Sequence, residues 1–297
     1  MDIKILFSSE DKFKNRLSKT IIIFSFTFVV YSLLIFFIKG SDISEFFHEK
    51  FFFEIIKCAL LIIPVIFCKV IRWRLICKQI NLYIPLGGDI KTWIGSQAFL
   101  ATPGGAGLGI RSLLLKKKFR IPINQTLPII VCERIFEFIS VILIIILLKI
   151  KFILQLKILM PIVALILLIK GFYQPIKNFF KELLIKNTSS RNINIDFLNS
   201  FIKLANLKFL IICILIGFLP WLIEGYSLYL IINIICQYKL SWSNSLFTHL
   251  SATLIGALSF LPGGLGATEF STLGLLSISK VPVFVSTTSA ILIRLLT

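Results

Sequence analysis

The chain has 297 residues, of which 57% are hydrophobic and only 15% are charged. A soluble domain of this length could not cover so much apolar surface with so few charges, which excludes a soluble enzyme. The net charge is +18, but the cations flank apolar segments, so we expect no nucleic-acid partner. Lipid offers no hydrogen-bond partner to the backbone, and the composition therefore predicts an all-α polytopic membrane protein.

Six apolar segments are long enough to predict membrane-spanning helices, namely 20–38, 52–71, 127–148, 155–171, 209–235 and 282–297. Two further apolar segments, 92–118 and 245–279, each contain a Pro-Gly-Gly break that would interrupt a helix. We interpret these two segments as re-entrant hairpins that enter and leave the membrane on the same side.

The charge distribution supports the hairpin interpretation. With hairpins, 22 of the 32 Lys and Arg residues fall on the cytoplasmic side, as the positive-inside rule requires. With single crossings the two sides would carry nearly equal numbers. We therefore predict a multi-pass protein of the bacterial cytoplasmic (inner) membrane with a cytoplasmic N-terminus.

The two breaks belong to an internal repeat. The first contains Pro103, Gly104, Gly105 and Gly107, and the second contains Pro262, Gly263, Gly264 and Gly266. Each is followed by a proline and then by an arginine within an apolar segment, Arg134 or Arg294. Three predicted crossings separate the breaks, so the second repeat would be inverted relative to the first. Transporters often use such broken helices as binding sites and hinges, which is the interpretation we adopt. The alternative is that the breaks kink helices or allow close packing.

The predicted organisation is a single membrane domain over 1–297. It comprises an N-terminal helical pair (20–71), a first repeat (92–148), connecting helices (155–235) with a basic cytoplasmic loop (172–208), and a second repeat (245–297). The last apolar segment has no flanking basic loop, so we expect the second repeat to be truncated at Thr297.

Ionisable residues within apolar segments mark candidate sites, because a charge in the membrane needs a partner or a wet cavity. Arg134 and Arg294 could both hold a lipid phosphate, since guanidinium suits bidentate phosphate binding. Alternatively they form structural salt bridges, for example Arg294 with Glu224 or Arg134 with Glu269. The full set of candidate substrate-binding residues is Arg111, Glu133, Arg134, Glu224, Glu269 and Arg294.

Other polar residues suggest local roles. Glu269 follows the second break and could cap the helix that begins there. Arg111 could bind a headgroup at the cytoplasmic mouth, and His249 is expected to be hydrogen-bonded within the structure. Three tryptophans are predicted to anchor at membrane interfaces, namely Trp73, Trp93 and Trp242.

The sequence contains no nucleophile–base set, no metal-ligand cluster and no phosphate-binding P-loop. The six cysteines are scattered and none forms a close pair with metal-ligand spacing. We expect no catalytic residue, no metal and no cofactor on this chain.

The stretch PGGAGLGIRSLLLKKKFRIPINQTLPIIVCERIFEF resembles the first signature of the lysylphosphatidylglycerol synthase/flippase membrane-domain family, and SFLPGGLGATEF with ILIRLL resembles its second. The resemblance implies a membrane domain that moves an aminoacylated lipid between leaflets. Arg111, Glu133 and Arg134 match the first motif, and Glu269 and Arg294 match the second. Family members often have Gly-Glu where this chain has Gly107 and Leu108, which puts specificity for lysyl-lipid in doubt.

Together these observations predict a flippase-like protein that binds an anionic lipid headgroup in a midplane cavity and helps it change leaflets. Its lipid partner would be an anionic phospholipid, an aminoacyl-phosphatidylglycerol or a polyprenyl-phosphate lipid. One alternative is the membrane portion of a phosphatidylglycerol lysyltransferase or of a lipid-linked glycosyl transferase system, with a separate transferase partner. Another is a scaffold that binds lipid without moving it. The sequence does not indicate an oligomeric state.

Overall fold

The computed structural model of the protein describes residues 49–97, 99, 106–149, 200, 203–204, 206–235 and 238–297. The predicted spans 20–38 and 155–171, most of the basic loop, and Pro103, Gly104 and Gly105 of the first break lie outside the described residues.

Within the described ranges the chain forms eight α-helices and no strand, which confirms the predicted all-α class. They are α1 (Glu49–Gln79), α2 (Leu86–Gln97), α3 (Ile110–Phe119), α4 (Ile123–Lys149), α5 (Leu207–Leu230), α6 (Trp242–Leu258), α7 (Ala267–Ile278) and α8 (Val283–Leu296). A 3₁₀ turn, Ala106–Gly109, precedes α3, and a π-helical turn, Ile231–Ile235, continues α5.

The unbroken apolar segments correspond to α1, α4, α5 and α8, and one boundary differs clearly from its prediction. Helix α1 continues to Gln79, whereas the apolar segment ends at residue 71, because the residues beyond it pack inside the protein. By length and composition, Lys208–Asn233 is the one helix in the described ranges apolar enough to cross a membrane, and a single such helix is weak support on its own. Charged residues interrupt the apolar stretches of α1 and α4.

Each Pro-Gly-Gly segment forms two short helices. Helices α2 and α3 flank the first break and pack against each other, as α6 and α7 do around the second. The 12 residues of α7 span about 18 Å at 1.5 Å per residue, which is less than the roughly 30 Å hydrocarbon core.

The second break depends on glycine at three positions. Gly263, Gly264 and Gly266 have φ of 60°, 67° and 83°, a left-handed region that residues with a Cβ rarely adopt. Helices α6 and α7 also approach closely here, because a Cβ on Gly256 would overlap the Thr268 hydroxyl. The sequence therefore fixes both the turn and the distance between its two helices.

The helices form separate cores around the two repeats. One core surrounds Trp73, Leu108 and Ile129, and the other surrounds Leu228 and Leu276. Helices α1 and α5 contribute to both cores, through residues such as Cys58 and Cys213. These two long helices thus hold the repeats against each other.

Candidate functional site

A cavity of about 220 Å³ lies between the two repeats. Residues of α1, α2, α4, α5, α6, α7 and α8 line it, together with the second Pro-Gly-Gly turn. Its polar lining includes Lys69, Trp93, Gln97, Arg134, Glu137, Glu224, His249 and Arg294. The repeat arginines that the sequence singled out, Arg134 and Arg294, therefore line the same cavity.

On the first-repeat side, five charged residues form a network of alternating sign. Nη1 of Arg111 lies 2.7 Å from Oε2 of Glu133, whose Oε1 lies 3.9 Å from Nη2 of Arg72. Arg72 also pairs with Oε1 of Glu137, and Nη1 of Arg134 lies 2.6 Å from Oε2 of the same carboxylate. Arg72 and Glu133 are almost fully buried, whereas 31% of the Arg134 side chain is exposed. The network therefore connects the protein interior to the cavity.

Arg111 lies behind the cavity wall rather than at a mouth. Its guanidinium is fully buried and lies 4.3 Å from the ring centroid of Trp73 and 5.7 Å from that of Trp93. Its Nε donates to Oγ of Ser96 at 2.9 Å. Because they pack on this cation, Trp73 and Trp93 are buried, and the prediction that they anchor at the membrane interface is wrong. Trp242 is exposed.

Arg294 connects α8 to the second break. It donates to the carbonyl oxygen of Gly263, and its Nε lies 3.4 Å from Oε1 of Glu269. Oε2 of Glu269 accepts from the backbone N–H of Gly266 at 2.8 Å, so the predicted capping of α7 is confirmed. The arginines' ionic partners differ from the pairs suggested by the sequence, because Arg294 contacts Glu269 and Arg134 contacts Glu137.

The backbone amides of the second break are bonded within the turn. The N–H of Gly264 donates to Leu261 at 2.9 Å, that of Leu265 donates to Pro262 at 3.1 Å, and that of Gly266 donates to Glu269. A broken helix that serves as a binding site can present free backbone amides to a ligand. In this conformation these three donors are used, and side chains supply the polar groups of the cavity.

Glu224 is the centre of a second charged group on the cavity wall. Its Oε1 lies 2.9 Å from Nζ of Lys69, and its Oε2 lies 3.3 Å from Nε2 of His249. The expectation that His249 is hydrogen-bonded within the structure is confirmed. Lys69 also lies 5.8 Å from the ring of Trp221. The cation and the carboxylate compensate each other inside an apolar surrounding.

Among the residues that the structure describes, the charges that line the cavity sum to one positive charge. Three lining cations, Lys69, Arg134 and Arg294, face two lining carboxylates, Glu137 and Glu224, with His249 counted as neutral. The four charges behind the wall cancel, because Arg72 and Arg111 accompany Glu133 and Glu269. Such a site favours a ligand with one negative charge.

Three residues that line this cavity each carry a buried nitrogen donor that has no acceptor in the described part of the chain. The donors are Nε1 of Trp93, Nε2 of Gln97 and Nε of Arg134. Leaving a buried donor unsatisfied costs about 1–3 kcal/mol, so three such donors among the lining residues indicate a ligand that accepts hydrogen bonds.

The structure brings three of the six predicted binding residues to the cavity, namely Arg134, Glu224 and Arg294. Arg111, Glu133 and Glu269 lie behind it, in ion pairs that orient other residues.

Sequence reasoning missed Lys69, Trp93 and Gln97 as residues of the cavity. Trp93 and Gln97 are four residues apart, which places them on one face of α2 and is the signal that could have found them. Leu108 is fully buried in the first-repeat core, so it does not line the cavity.

Asp89 lies in the first turn of α2, before segment 92–118, and contacts residues of α1 in the first-repeat core. Its Oδ1 accepts from the indole N–H of Trp73 at 2.7 Å, and its Oδ2 lies 3.4 Å from Nη1 of Arg74. Burial raises the pKa of the Asp89 carboxyl, while the hydrogen bond from Trp73 and the charge of Arg74 oppose that shift. Asp89 therefore positions the tryptophan on which Arg111 rests.

Comparison with known proteins identifies the family of the chain. The family described as "Lysylphosphatidylglycerol synthase TM region" matches residues 22–297. A "UPF0104 membrane protein" from Methanothermobacter thermautotrophicus is 34% identical over 92 residues, which cover 31% of this chain and 27% of that relative. The chain thus aligns with only about a quarter of the relative's length. The family match extends over nearly the whole chain, and the protein is therefore a membrane protein that belongs to the lysylphosphatidylglycerol synthase TM region family.

Proposed function

We propose that the protein is a flippase-like membrane protein that binds the phosphate of a lipid headgroup in the cavity and helps the lipid pass between leaflets. The observation that carries the proposal is the shared cavity of Arg134 and Arg294, which lie at equivalent positions of the two repeats. Both side chains are partly exposed, at 31% and 25%, although the carboxylates they contact are almost fully buried.

The electrostatics favour an anionic phosphodiester. A phosphodiester carries one negative charge, which would balance the single net positive charge of the cavity. Guanidinium groups bind phosphate oxygens through short, charge-assisted hydrogen bonds. A phosphatidylglycerol-like lipid therefore fits better than a cationic aminoacyl lipid, whose extra charge would leave the site unbalanced.

The two broken segments provide a route for movement. We place both as re-entrant hairpins of an inverted repeat, with the cavity near the midplane and the N-terminus on the cytoplasmic side of the bacterial inner membrane. Short helices joined at glycine turns can change their relative angle more readily than continuous spans. In transporters of this layout, one repeat rocks against the other around a fixed site.

The test is leaflet-resolved lipid movement in proteoliposomes. Fluorescent phosphatidylglycerol, lysyl-phosphatidylglycerol and a polyprenyl-phosphate lipid would each be placed in one leaflet, and their equilibration would be followed by dithionite quenching. We expect the protein to accelerate the equilibration of phosphatidylglycerol between the leaflets. We expect Arg134→Ala and Arg294→Ala to abolish this acceleration.

The matched control is Arg74→Ala. Arg74 is exposed to a similar degree, pairs with Asp89 and does not line the cavity, so its loss should leave transport intact. Unchanged movement in Arg134→Ala, in protein that is folded and inserted, would refute the assignment of the site. Absence of acceleration for every lipid would refute the transport function itself.

The family description, which names a synthase, favours one other candidate. The chain could be the membrane portion of a phosphatidylglycerol lysyltransferase that works with a separate transferase partner. Incubation of lysyl-tRNA and phosphatidylglycerol with native membranes, which retain a transferase partner, and with native membranes that lack this chain separates the two proposals. Formation of lysyl-phosphatidylglycerol supports the synthase system, whereas transport without any new lipid supports the flippase.

A further inference from the structure

We propose that Trp93, Gln97 and Arg134 form an oxyanion subsite in the cavity wall and that this subsite holds the phosphate of the ligand. The inference rests on the proposed function, since it assigns particular donors to the headgroup that the proposal places there. It also gives the two repeat arginines different roles.

Trp93 contributes its indole N–H, a group that can donate a hydrogen bond but cannot accept one. Its side chain is 4% exposed and its ring lies against the guanidinium of Arg111, which fixes the orientation of the indole. Nε1 is buried, the residue lines the cavity, and no acceptor lies within hydrogen-bond distance of this atom in the described ranges. A buried indole N–H normally has a partner, so this atom indicates a ligand acceptor.

Gln97 supplies the second donor from the same helix. It follows Trp93 by four residues, so the two side chains share one face of α2. Its amide nitrogen is also buried and lacks an acceptor among the residues that the structure describes. Helix α2 ends at Gln97, so its last turn reaches the cavity.

Arg134 completes the set from α4. Glu137 holds its Nη1 at 2.6 Å, which orients the guanidinium, while Nε has no acceptor in the part of the chain described. The three atoms without an acceptor are all N–H donors. A phosphate oxyanion, which only accepts hydrogen bonds, matches that chemistry.

Arg294 differs from Arg134 in how its donors are used. One of its donors bonds to the Gly263 carbonyl and Nε faces Glu269. We therefore assign Arg294 as a positioning residue that holds the second turn at the cavity. The phosphate subsite belongs to the first repeat.

The experiment measures lipid binding by native mass spectrometry of the full, detergent-purified chain. The probes are phosphatidylglycerol and diacylglycerol with the same acyl chains, which differ by the phosphoglycerol group. The variants are Trp93→Phe, which keeps the ring and removes the N–H, and Gln97→Leu, which keeps the approximate size. Trp242→Phe is the matched control, because Trp242 is exposed and does not line the cavity.

We expect Trp93→Phe and Gln97→Leu each to weaken phosphatidylglycerol binding about ten- to hundredfold, the usual range for a hydrogen bond to a charged group. Diacylglycerol binding should stay unchanged in both variants, which also shows that the cavity remains folded. Trp242→Phe should bind both lipids like the wild type.

A competition arm distinguishes a lipid from a soluble source of the phosphate. Displacement of phosphatidylglycerol by inorganic phosphate or glycerol 3-phosphate would support the subsite with a soluble ligand. Failure of both to compete, with the variant effects intact, would support a lipid ligand.

Two outcomes separate this inference from the proposed function. Unchanged phosphatidylglycerol affinity in both variants would overturn the subsite even if the wild type moves lipid. Weakened binding in both variants, with no lipid movement by the wild type, would support the subsite and refute the flippase.

Discussion

The guanidinium of Arg294 donates a hydrogen bond to the carbonyl oxygen of Gly263, which ties α8 to the second Pro-Gly-Gly turn. The same side chain lies 3.4 Å from Glu269, whose carboxylate caps the start of α7. One arginine thus links the turn, the helix that follows it and the last helix. Arg134, its counterpart in the first repeat, shares Glu137 with a second cation, Arg72.

This difference predicts unequal losses of stability. Arg294→Ala leaves the buried carboxylate of Glu269 without its cation, which should lower the free energy of unfolding by about 2–4 kcal/mol. Arg134→Ala should cost about 1 kcal/mol or less, because Glu137 keeps Arg72 and an ion pair at a partly exposed arginine is worth little. Thermal unfolding of the purified variants, followed by intrinsic fluorescence, measures both.

The control is the double variant Arg294→Ala, Glu269→Gln. Glutamine can still accept the N–H of Gly266 but carries no charge, so part of the lost stability should return. Equal destabilisation by the two single arginine variants would contradict the distinct role of Arg294.

Close packing at the second break should exclude a side chain at Gly264 of the break and at Gly256 of α6. Gly264→Ala combines φ of +67° with a Cβ that would lie 2.9 Å from the Thr268 hydroxyl and 3.1 Å from the backbone of Gly256. We expect a loss of about 2–3 kcal/mol, from steric overlap and backbone strain together. Gly256→Ala would meet the same hydroxyl. Thr268→Ala should therefore rescue Gly256→Ala more than Gly264→Ala, which keeps the backbone contact and the strained φ.

Gly274→Ala is the matched control for these substitutions. Gly274 lies within α7, and a Cβ there would meet no atom within 4 Å. Alanine is the better helix former, so this variant should gain about 0.5–1 kcal/mol. Similar thermal stability of all three alanine variants would show that close packing at the break is unimportant.

The buried carboxyl of Asp89 predicts a pH-dependent stability difference. Burial raises its pKa, so the folded chain retains the proton more readily than the unfolded chain, and stability falls as pH rises above about 4. Asp89→Asn keeps an oxygen that can accept from Trp73 and cannot ionise. Its melting temperature relative to the wild type should therefore increase between about pH 4 and pH 7. A difference that is constant with pH, or that decreases, would contradict this assignment.

The periodic and compositional features of the chain were predictable from sequence. Long apolar segments predicted the helices α1, α4, α5 and α8, and the capping role of Glu269 followed from its position after a break. These features depend on local chemistry, namely hydropathy, helix breakers and charges at helix ends.

The partners of the buried charges were not predictable in the same way. Lys69, Arg72 and Arg111 were counted among the 22 cytoplasmic cations, yet each contacts a glutamate inside the protein. A flanking cation and an interior cation look alike in sequence, because only the tertiary fold places a carboxylate beside one of them. The indole of Trp93 was misassigned for the same reason, since its packing against Arg111 is a contact between α2 and α3.

The net charge of the cavity should determine which anion it prefers. Glu224→Gln removes one of the two lining carboxylates and raises the net charge from one to two, whereas Lys69→Gln lowers it to zero. A phosphomonoester lipid carries close to two negative charges at about pH 8, and a phosphodiester carries one. We expect Glu224→Gln to shift the affinity ratio about three- to tenfold toward phosphatidic acid over phosphatidylglycerol, and Lys69→Gln to weaken phosphatidic acid binding more than phosphatidylglycerol binding. Native mass spectrometry with both lipids measures the ratio.

Glu54→Gln is the control, because Glu54 pairs with Lys57 away from the cavity. If all three variants kept the wild-type ratio, the cavity charge would not select the ligand.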